Sequence, residues 1–327
     1  MTVITTQPPQ FSHSKVQEII QSIYGFEVSV STLDSERDQN FLLKGRNGDS
    51  FVFKISNPME DMKLIKLQTA ALHHISNFDA SLNVPVPIES LDGKTINFVD
   101  GNIIRVQSFL EGIFIKDIEN PSAHLLNEFG NFLGKLDLAF KEFDFPVLER
   151  DWVWDIRNIS FLKEHTNFLS DPTDQQIISH FITNYEANIY PIEKYLRRQY
   201  IHNDSNDHNV LLNEKGQISG IIDFGDMAHT FLVCELAVAL TYLILEEENP
   251  QEKINMVVDG YQSVLPLRTE EIDSLIYLIC MRACLTVVIA NYRKKLFPDN
   301  EYISVTEPNA WKFLRNMLDK DLKGFVI

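Results

Sequence analysis

The chain is poor in cysteine and in positive charge. It has three cysteines in 327 residues, none of them in a CxxC pair, and no signal peptide at its start. These absences predict a protein of the reducing cytoplasm. Lysine and arginine number 29 against 46 aspartates and glutamates, which gives a formal net charge of −17. No nucleic-acid partner is therefore expected, because phosphate backbones are bound by clustered cations. The acidic balance mildly favours a cationic small molecule as substrate.

Long uninterrupted apolar runs are missing as well. The run from Phe231 to Leu245 contains Glu235, and the run from Leu275 to Ala290 contains Arg282. Both runs are shorter than the ~20 residues that a bilayer span needs, so no membrane association is expected. They predict buried helices of a helical core, and their cysteines are expected to pack as small core residues. These cysteines are Cys234, Cys280 and Cys284.

Hydrophobic periodicity divides the chain into three parts. Residues 1–10 are polar and predict a frayed start. Residues 11–108 combine hairpin patterns with short helical ones and predict a small antiparallel β-rich lobe. Residues 109–327 are mostly helical and predict a larger lobe. The expected fold is α+β with two lobes, and ligand sites tend to lie in the cleft between such lobes.

The β-rich part carries two turn signals and two helical stripes. Asn47-Gly48 and Asp100-Gly101 each stand between apolar, β-favouring runs and predict tight hairpin turns. Ser14 to Ile23 and Asp61 to Ile75 have apolar residues at helical spacing. In the strand that follows the first turn, Val52 and Lys54 are predicted to share one face.

The stretch YIHNDSNDHNVLLNEKGQISGIIDFGD, residues 200–226, interrupts the helical part. Two short strands, Val210 to Asn213 and Gln217 to Ile222, are predicted here, joined by a glycine-containing loop. Folding of this hairpin brings Asn209 beside Asp223. An amide oxygen and a carboxylate suit Mg²⁺, which takes few protein ligands together with waters and phosphate oxygens. Asp204, on the approach loop, is placed to meet a hydroxyl near that metal.

These residues match the parts that phosphoryl transfer requires. The sequence has HxDxxxxN from His202, then a short hairpin, then DFG. Upstream of these motifs stands the strand lysine Lys54, and Val52 on the same strand face would contact the base of the nucleotide. Each piece alone is weak, but the ordered combination predicts a Mg²⁺-dependent kinase with ATP or GTP as donor. A non-catalytic nucleotide-binding pseudokinase is the alternative. His202 is expected to pack and to hydrogen-bond the loop rather than to do chemistry.

The same motifs resemble the aminoglycoside phosphotransferase-like (APH) family of small-molecule kinases over residues 11–322. Asn203 stands where protein kinases carry the arginine of their HRD motif, and no APE segment follows DFG. The chain is most similar to the hydroxylysine kinase-like branch of the family. The segments that carry this similarity are SERDQNFLL, HNDSNDHNVL, IDFGDM, WDI and PDNEYISVTEPNAW.

The resemblance implies a protein-kinase-like two-lobed fold, with residues 11–108 as the nucleotide-binding lobe and residues 109–327 as the catalytic and substrate lobe. It also implies a set of residue roles. Asp204 is implied as the catalytic base, Asn209 and Asp223 as the Mg²⁺ ligands, and Lys54 as the phosphate-binding lysine. Residues 35–40 are implied to cover the nucleotide, and residues 107–110 are implied to form the hinge beside the adenine or guanine base of that nucleotide. The further nucleotide-site residues are Ser35, Asp38, Gln39, Asn40, Gln107 and Phe109.

Two departures from the kinase pattern stand in the nucleotide lobe. No GxGxxG is present, so polar side chains and amides of the loop are expected to cover the phosphates. Gln68 stands where a helix glutamate would pair with the strand lysine. Gln68 can hydrogen-bond Lys54 but cannot neutralise it.

The acceptor is expected above Asp204, among Trp154, Asp155, Arg157 and Asp207. An amine favours carboxylates or an aromatic face, and an α-carboxylate favours an arginine. The local alternatives are a core anchor for Trp154 and a helix N-cap for Asp155. Two further acids are expected to tie the DFG segment to the following helix, namely Asp226 and Glu235.

The predicted reaction is transfer of a γ-phosphate from ATP or GTP to the hydroxyl of an amino alcohol or hydroxy amino acid similar to hydroxylysine. Homoserine, choline or ethanolamine, and aminoglycosides are alternative acceptors. The resemblance to the branch also implies a functional link to a separate PLP-dependent class III aminotransferase-like enzyme.

Overall fold

The computed structural model describes residues 3–35, 37–298 and 305–325. The chain divides into two compact units, Met1–Glu111 and Gly112–Ile327, so the boundary lies close to the expected one after residue 108. Residue 36 of the SERDQ loop and residues 299–304 of the PDNEYISVTEPNAW segment lie outside the described residues.

The N-terminal unit is an antiparallel sheet with two helices. The sheet has the order β1-β2-β3-β6-β4, and β5 pairs with β6. The elements are α1 (His13–Tyr24), β1 (Val28–Leu33), β2 (Gln39–Gly45), β3 (Ser50–Ile55), α2 (Met62–Phe78), β4 (Pro87–Ile88), β5 (Asn97–Val99) and β6 (Asn102–Ser108). Both predicted hairpin turns are present, and the residues at their tips, Gly48 (φ 88°) and Asp100-Gly101 (φ 50° and 81°), have the positive φ that such turns require.

The core of this unit lies between the sheet and α1. Phe53 and Ile55 of β3 are buried with Ile104 and Val106 of β6, and α1 adds an apolar stripe that includes Ile20. The alternation predicted for β3 therefore turns its phenylalanine and isoleucine inward and leaves Val52 and Lys54 on the other face.

The start of the chain differs from the expected frayed segment in its described residues. Val3 and Ile4 are buried, and Asn57 Nδ2 donates to the carbonyl oxygen of Thr6 at 3.3 Å. Two apolar side chains in a polar segment are enough to pack it onto the unit, a contact that local polarity does not reveal.

The C-terminal unit is mainly helical, with two small antiparallel sheets in the orders β10-β9-β7 and β11-β8. Its elements are β7 (Ile113–Phe114), α3 (Ala123–Lys141), α4 (Ile159–His165), α5 (Pro172–Asn188), β8 (Arg198–Ile201), β9 (Val210–Leu212), β10 (Ile218–Ile221), β11 (Ala228–Phe231), α6 (Cys234–Ile244), α7 (Gln251–Gln262), α8 (Thr269–Leu296) and α9 (Glu307–Met317).

Helices α3 and α7 cross at very short distance because glycines face backbone. A Cβ atom on Gly130 would lie 1.8 Å from Val257 O, and one on Gly260 would lie 2.0 Å from Asn127 O. Below this crossing, Tyr261 Oη donates to buried Asp137 Oδ2 at 2.6 Å. Asp137 in turn links α3 to β8, since its carbonyl oxygen accepts from Gln199 Nε2 at 2.9 Å.

Helix α8 is longer than the apolar run that predicts it. It has 28 residues, because polar residues at both ends continue the helix beyond the run. By length and composition alone α8 could cross a membrane, and 89% of its most apolar window is buried inside the protein, as in a core helix. The expectation that this segment is too short to span a bilayer is therefore wrong as an argument from length.

Candidate active site

The β9–β10 hairpin brings Asn209 beside the DFG segment. Val210 pairs with Ile221 across the hairpin, and Ile222 N donates to Asn209 O at 2.9 Å. Asn209 and Asp223 thus lie at the same end of the hairpin, as the strand pattern predicts. Asp223 is exposed and has a left-handed backbone (φ 62°). It begins the short 3₁₀ turn Phe224–Asp226 and accepts from Gly225 N at 3.2 Å.

Asp204 is held by several donors within the C-terminal unit. Its Oδ1 accepts from Arg282 Nη2 at 3.0 Å and from Asn206 Nδ2 at 2.9 Å. Its Oδ2 accepts from Asn209 Nδ2 at 2.8 Å. The carboxylate remains 21% exposed, so it is fixed in direction and still reachable from solvent.

The two predicted metal ligands fit Mg²⁺ by donor chemistry. The Asn209 amide nitrogen donates to both the carbonyl oxygen and Oδ2 of Asp204, each at 2.8 Å, which leaves the amide oxygen as the end that can meet a cation. With the Asp223 carboxylate this gives two hard oxygen donors. Residues 3–35, 37–298 and 305–325 contain no group of three or more His, Cys, Asp or Glu that could hold a metal. Any Mg²⁺ here would be completed by waters and phosphate oxygens, as Mg²⁺ prefers.

The residue before Asp204 is hydrogen-bonded to α6 and to the DFG turn. Asn203 has a positive φ of 64°, a conformation that asparagine tolerates better than most residues. Its N–H donates to Glu235 Oε2 at 3.2 Å, and its Nδ2 donates to Asp226 O at 3.1 Å. Glu235 of α6 and the main chain of Asp226 in the DFG turn are therefore both tied to the catalytic loop through Asn203.

His202 is a packing residue. It is fully buried, its Nε2–H donates to Ile222 O at 3.0 Å, and its Nδ1 accepts from Asp204 N at 3.2 Å. Burial lowers the pKa of His202, and these two bonds suit the neutral ring. Its edge packs on Phe224, with ring centroids 4.6 Å apart.

Arg282 is the site residue that the sequence analysis missed. It is 1% exposed, and each of its guanidinium nitrogens donates within the protein: Nε to Tyr242 Oη at 3.2 Å, Nη1 to Trp154 O at 3.0 Å, and Nη2 to Asp204. Burial lowers its pKa, but Tyr242 and Asp204 outweigh this and raise it. One signal was available, because an arginine inside an apolar run must find partners when the run is buried.

Two of the predicted acceptor residues are engaged with each other. Arg157 Nη2 donates to Asp155 Oδ2 at 2.7 Å and to His229 O at 3.2 Å, and Thr230 Oγ1 donates to Asp155 Oδ1 at 2.9 Å. These contacts fasten the segment before α4 to β11. The predicted N-cap role of Asp155 is wrong, because the side chain of Asn158 caps α4.

Trp154 and Asp207 are both connected to Asp204, the proposed catalytic base. The Trp154 ring is 4.6 Å from the Arg282 guanidinium that holds Asp204. Asp207 follows Asp204 in the same loop, and its carbonyl oxygen accepts from Lys116 N at 3.2 Å. Burial raises the pKa of Asp207 and lowers that of its neighbour His208.

In the N-terminal unit, the predicted nucleotide residues share one face of the sheet. Lys54 of β3 lies opposite Asn40 of β2 and Arg105 of β6. Two places along, Val52 lies opposite Gln107. Because residues in register and two apart point to the same side of a sheet, these five residues line one surface.

Gln68 has a partner that the sequence analysis did not foresee. Its Oε1 accepts from Arg105 Nη1 at 2.9 Å, and both residues are buried. A second cation thus stands next to Lys54 on the neighbouring strand. The amide at position 68 meets that cation without adding a charge.

The polar loop before β2 is fastened to its surroundings. Asp38 Oδ1 accepts from Asn57 N at 2.9 Å, and Asp38 N donates to Ser35 Oγ at 3.3 Å. Gln39 makes two hydrogen bonds to the main chain of Phe11, at 2.7 and 3.0 Å. In the segment predicted as the hinge, the Phe109 N–H donates to Ser50 O at 3.1 Å.

Comparisons with known proteins identify one family. The model of the family described as "Phosphotransferase enzyme family" (APH) matches residues 29–271. Hydroxylysine kinase of Danio rerio is 30% identical to this chain over 96% of it and 94% of the relative.

Solved structures share the fold at low identity. An amicoumacin kinase in complex with AMP-PNP, Ca²⁺ and Ami has a TM-score of 0.73 and 15% identity, covering 95% of this chain and 96% of its own. A microcompartment-associated aminopropanol kinase has a TM-score of 0.74 and 14% identity, covering 96% and 100%. The protein-kinase-like α+β fold implied by the motifs is therefore confirmed.

Family, fold and motif order lead to the same assignment. The matched region contains both the strand lysine and the HxDxxxxN–DFG stretch. The chain belongs to the APH phosphotransferase enzyme family, and it is a small-molecule kinase with a hydroxyl group as acceptor.

Proposed function

We propose that this kinase transfers the γ-phosphate of ATP or GTP, with Mg²⁺, to the hydroxyl of an amino alcohol or hydroxy amino acid similar to hydroxylysine. One observation carries the proposal: the Asn209 amide nitrogen donates to the carboxylate of Asp204, and the β9–β10 hairpin places Asn209 and Asp223 at the same end. The proposed base and the proposed metal ligands therefore belong to the catalytic loop and to the adjoining end of the hairpin, the parts that phosphoryl transfer requires.

Each residue has a defined task in this proposal. Asp204 orients the acceptor hydroxyl and takes its proton through a carboxylate oxygen. Asn209 and Asp223 hold Mg²⁺, which when bound neutralises charge on the phosphates. Lys54 binds the phosphates that are not transferred. Val52 and Gln107, on the same sheet face, contact the base of the nucleotide.

The acceptor class is supported by relatives and by charge. The hydroxylysine kinase of Danio rerio spans nearly the whole chain, and the aminopropanol kinase shares the fold. The net charge of −17 favours an acceptor that carries an ammonium group. Homoserine, choline, ethanolamine and aminoglycosides belong to the same reaction class and are the comparison substrates.

The test is nucleotide consumption with each acceptor in turn. ATP and GTP are assayed in parallel, with Mg²⁺ and with a chelator, against 5-hydroxylysine, homoserine, aminopropanol, ethanolamine, choline and an aminoglycoside. We expect Mg²⁺-dependent turnover that is highest with 5-hydroxylysine and lost in Asp204→Asn. Turnover that survives Asp204→Asn, or preference for an acceptor without an amine, would contradict the proposal.

A further inference from the structure

A fully buried arginine contacts the proposed base. Arg282 lies in the middle of α8, a helix of 28 residues with buried residues along most of its length. Burying a guanidinium is costly unless its donors are paired. The side chain meets this demand with Tyr242, Trp154 and Asp204, at 3.2, 3.0 and 3.0 Å.

Two aromatic rings contact this guanidinium. The Trp154 ring lies 4.6 Å from the central carbon of Arg282, and the Tyr242 ring lies 5.4 Å from it. Contacts of this kind orient a planar cation as well as attract it. The bond from Nη2 to Asp204 is therefore supported by contacts from α6, from α8 and from the segment before α4.

Arg282 itself is not placed to bind an acceptor. It is 1% exposed, and all three of its nitrogens donate inside the protein. Its effect on an acceptor must therefore pass through one of its partners, and Asp204, whose side chain is 21% exposed, is the partner proposed as the base.

The two oxygens of Asp204 are held in different ways. Oδ1 accepts from a guanidinium and from the Asn206 amide. Oδ2 accepts from the amide of Asn209, the residue proposed to hold the metal and hence the phosphates. The hydroxyl that attacks a phosphoryl group must lie on the side of those phosphates, and Oδ2 is the oxygen of Asp204 that is linked to Asn209.

We propose that Arg282 is a positioning residue for phosphoryl transfer, which anchors Oδ1 of Asp204 so that Oδ2 faces the acceptor hydroxyl. The inference rests on the proposed function and deepens it. Misplacement of a reacting group by 1 Å costs about 10²-fold in rate. Loss of the anchor is therefore expected to lower kcat about 10²-fold and to leave the KM of the nucleotide near its wild-type value.

The experiment is a double-mutant cycle. Arg282→Met, Asp204→Asn and the double variant are compared with the wild type in kcat, in both KM values, and in the thermal unfolding midpoint without nucleotide or metal. Arg282→Lys keeps the charge and tests partial rescue. Arg293→Met is the matched control, since Arg293 is another buried arginine of α8 and has no role assigned at the site.

The inference predicts a large loss of kcat in Arg282→Met, a smaller one in Arg282→Lys, and no further loss when Arg282→Met is added to Asp204→Asn. The thermal midpoint of the double variant should fall by less than the sum of the two single shifts. Each single variant leaves one charged partner of the Arg282–Asp204 pair without the other, whereas the double variant leaves no unpaired charge there. Unchanged kcat in Arg282→Met, an equal loss in Arg293→Met, or additive losses in the cycle would overturn it. If the wild type itself turns over no acceptor, the proposed function fails first, and this outcome differs from all the others.

Discussion

The two units hold their polar residues in different ways. In the C-terminal unit, Asp204 is fixed by donors from its own loop and from α8, and the loop is tied to α6 through Asn203 and Glu235. In the N-terminal unit, Lys54 and Asn40 are half-buried on a sheet face, and the nearby loop side chains bind the main chain. The difference indicates that the proposed base is fixed by side-chain donors from several elements, whereas the proposed nucleotide residues are aligned by strand register.

The largest effect is expected at the base. Asp204→Asn should lower kcat about 10³-fold, because general acid–base catalysis contributes on the order of 10²–10⁴-fold. Nucleotide affinity, measured by calorimetry in the presence of Mg²⁺, should change little. The control is Asp259→Asn, an exposed carboxylate of α7. If both variants kept full activity, Asp204 could not be the base.

Packing beneath the catalytic loop should give the next largest effect. Gly260→Ala would place a Cβ 2.0 Å from the backbone of α3, and overpacking costs about 1–3 kcal/mol in the free energy of unfolding. Because α3 also supports β8 through Asp137 and Gln199, kcat should fall together with stability.

Gly45→Ala is the matched control for this packing argument. Its Cβ would meet Asp49 O at 3.5 Å, an ordinary contact. Urea unfolding of both variants tests the prediction, and equal stability would show that the α3–α7 crossing tolerates a methyl group.

A smaller effect is expected in the nucleotide unit. Lys54→Met should raise the KM of the nucleotide by about 10- to 100-fold, since a hydrogen bond to a charged group is worth about 1.5–3 kcal/mol. Lys66→Met removes an exposed lysine of α2 and serves as the control. A fall in kcat as large as that of Asp204→Asn, without change in nucleotide KM, would erase the contrast between the units.

The smallest effect is the pH dependence of stability in the C-terminal unit. Burial lowers the pKa of His202 below its ordinary value of about 6.5. As pH falls through that value, the unfolded chain takes up a proton that the folded ring resists, so His202 contributes a loss of stability on acidification. Burial raises the pKa of Asp137, which contributes with the opposite sign.

A variant isolates the histidine contribution. His202→Asn removes it and leaves Asp137 unchanged, so the thermal midpoint of the variant should fall less between pH 7.5 and 5.5 than that of the wild type. Scanning calorimetry at several pH values provides both slopes. A steeper fall in the variant would mean that His202 is charged in the folded protein.

The features that the sequence predicts best are those determined by residues close together along the chain. Glycine turns at residues 48 and 101, and the hairpin that joins Asn209 to Asp223, follow from local backbone preferences. The order HxDxxxxN–DFG is likewise a short-range pattern. These features define the fold class and the proposed metal ligands before any packing is known.

What sequence reasoning missed depends on contacts between distant segments. Arg282 meets Asp204 across 78 positions, and Arg105 meets Gln68 across 37. No local periodicity encodes such pairs. A helix cap is the local alternative for Asp155, but the turn continues to Asn158, which caps α4, and Asp155 bonds Thr230 and Arg157 instead.

The most direct test of the central claim is the product itself. ³¹P NMR of a reaction with ATP, Mg²⁺ and 5-hydroxylysine should show a new phosphomonoester on the acceptor in the wild type and none in Asp204→Asn. Release of inorganic phosphate alone, or the same ester in both proteins, would contradict the assignment of Asp204 as the base of a hydroxyl kinase.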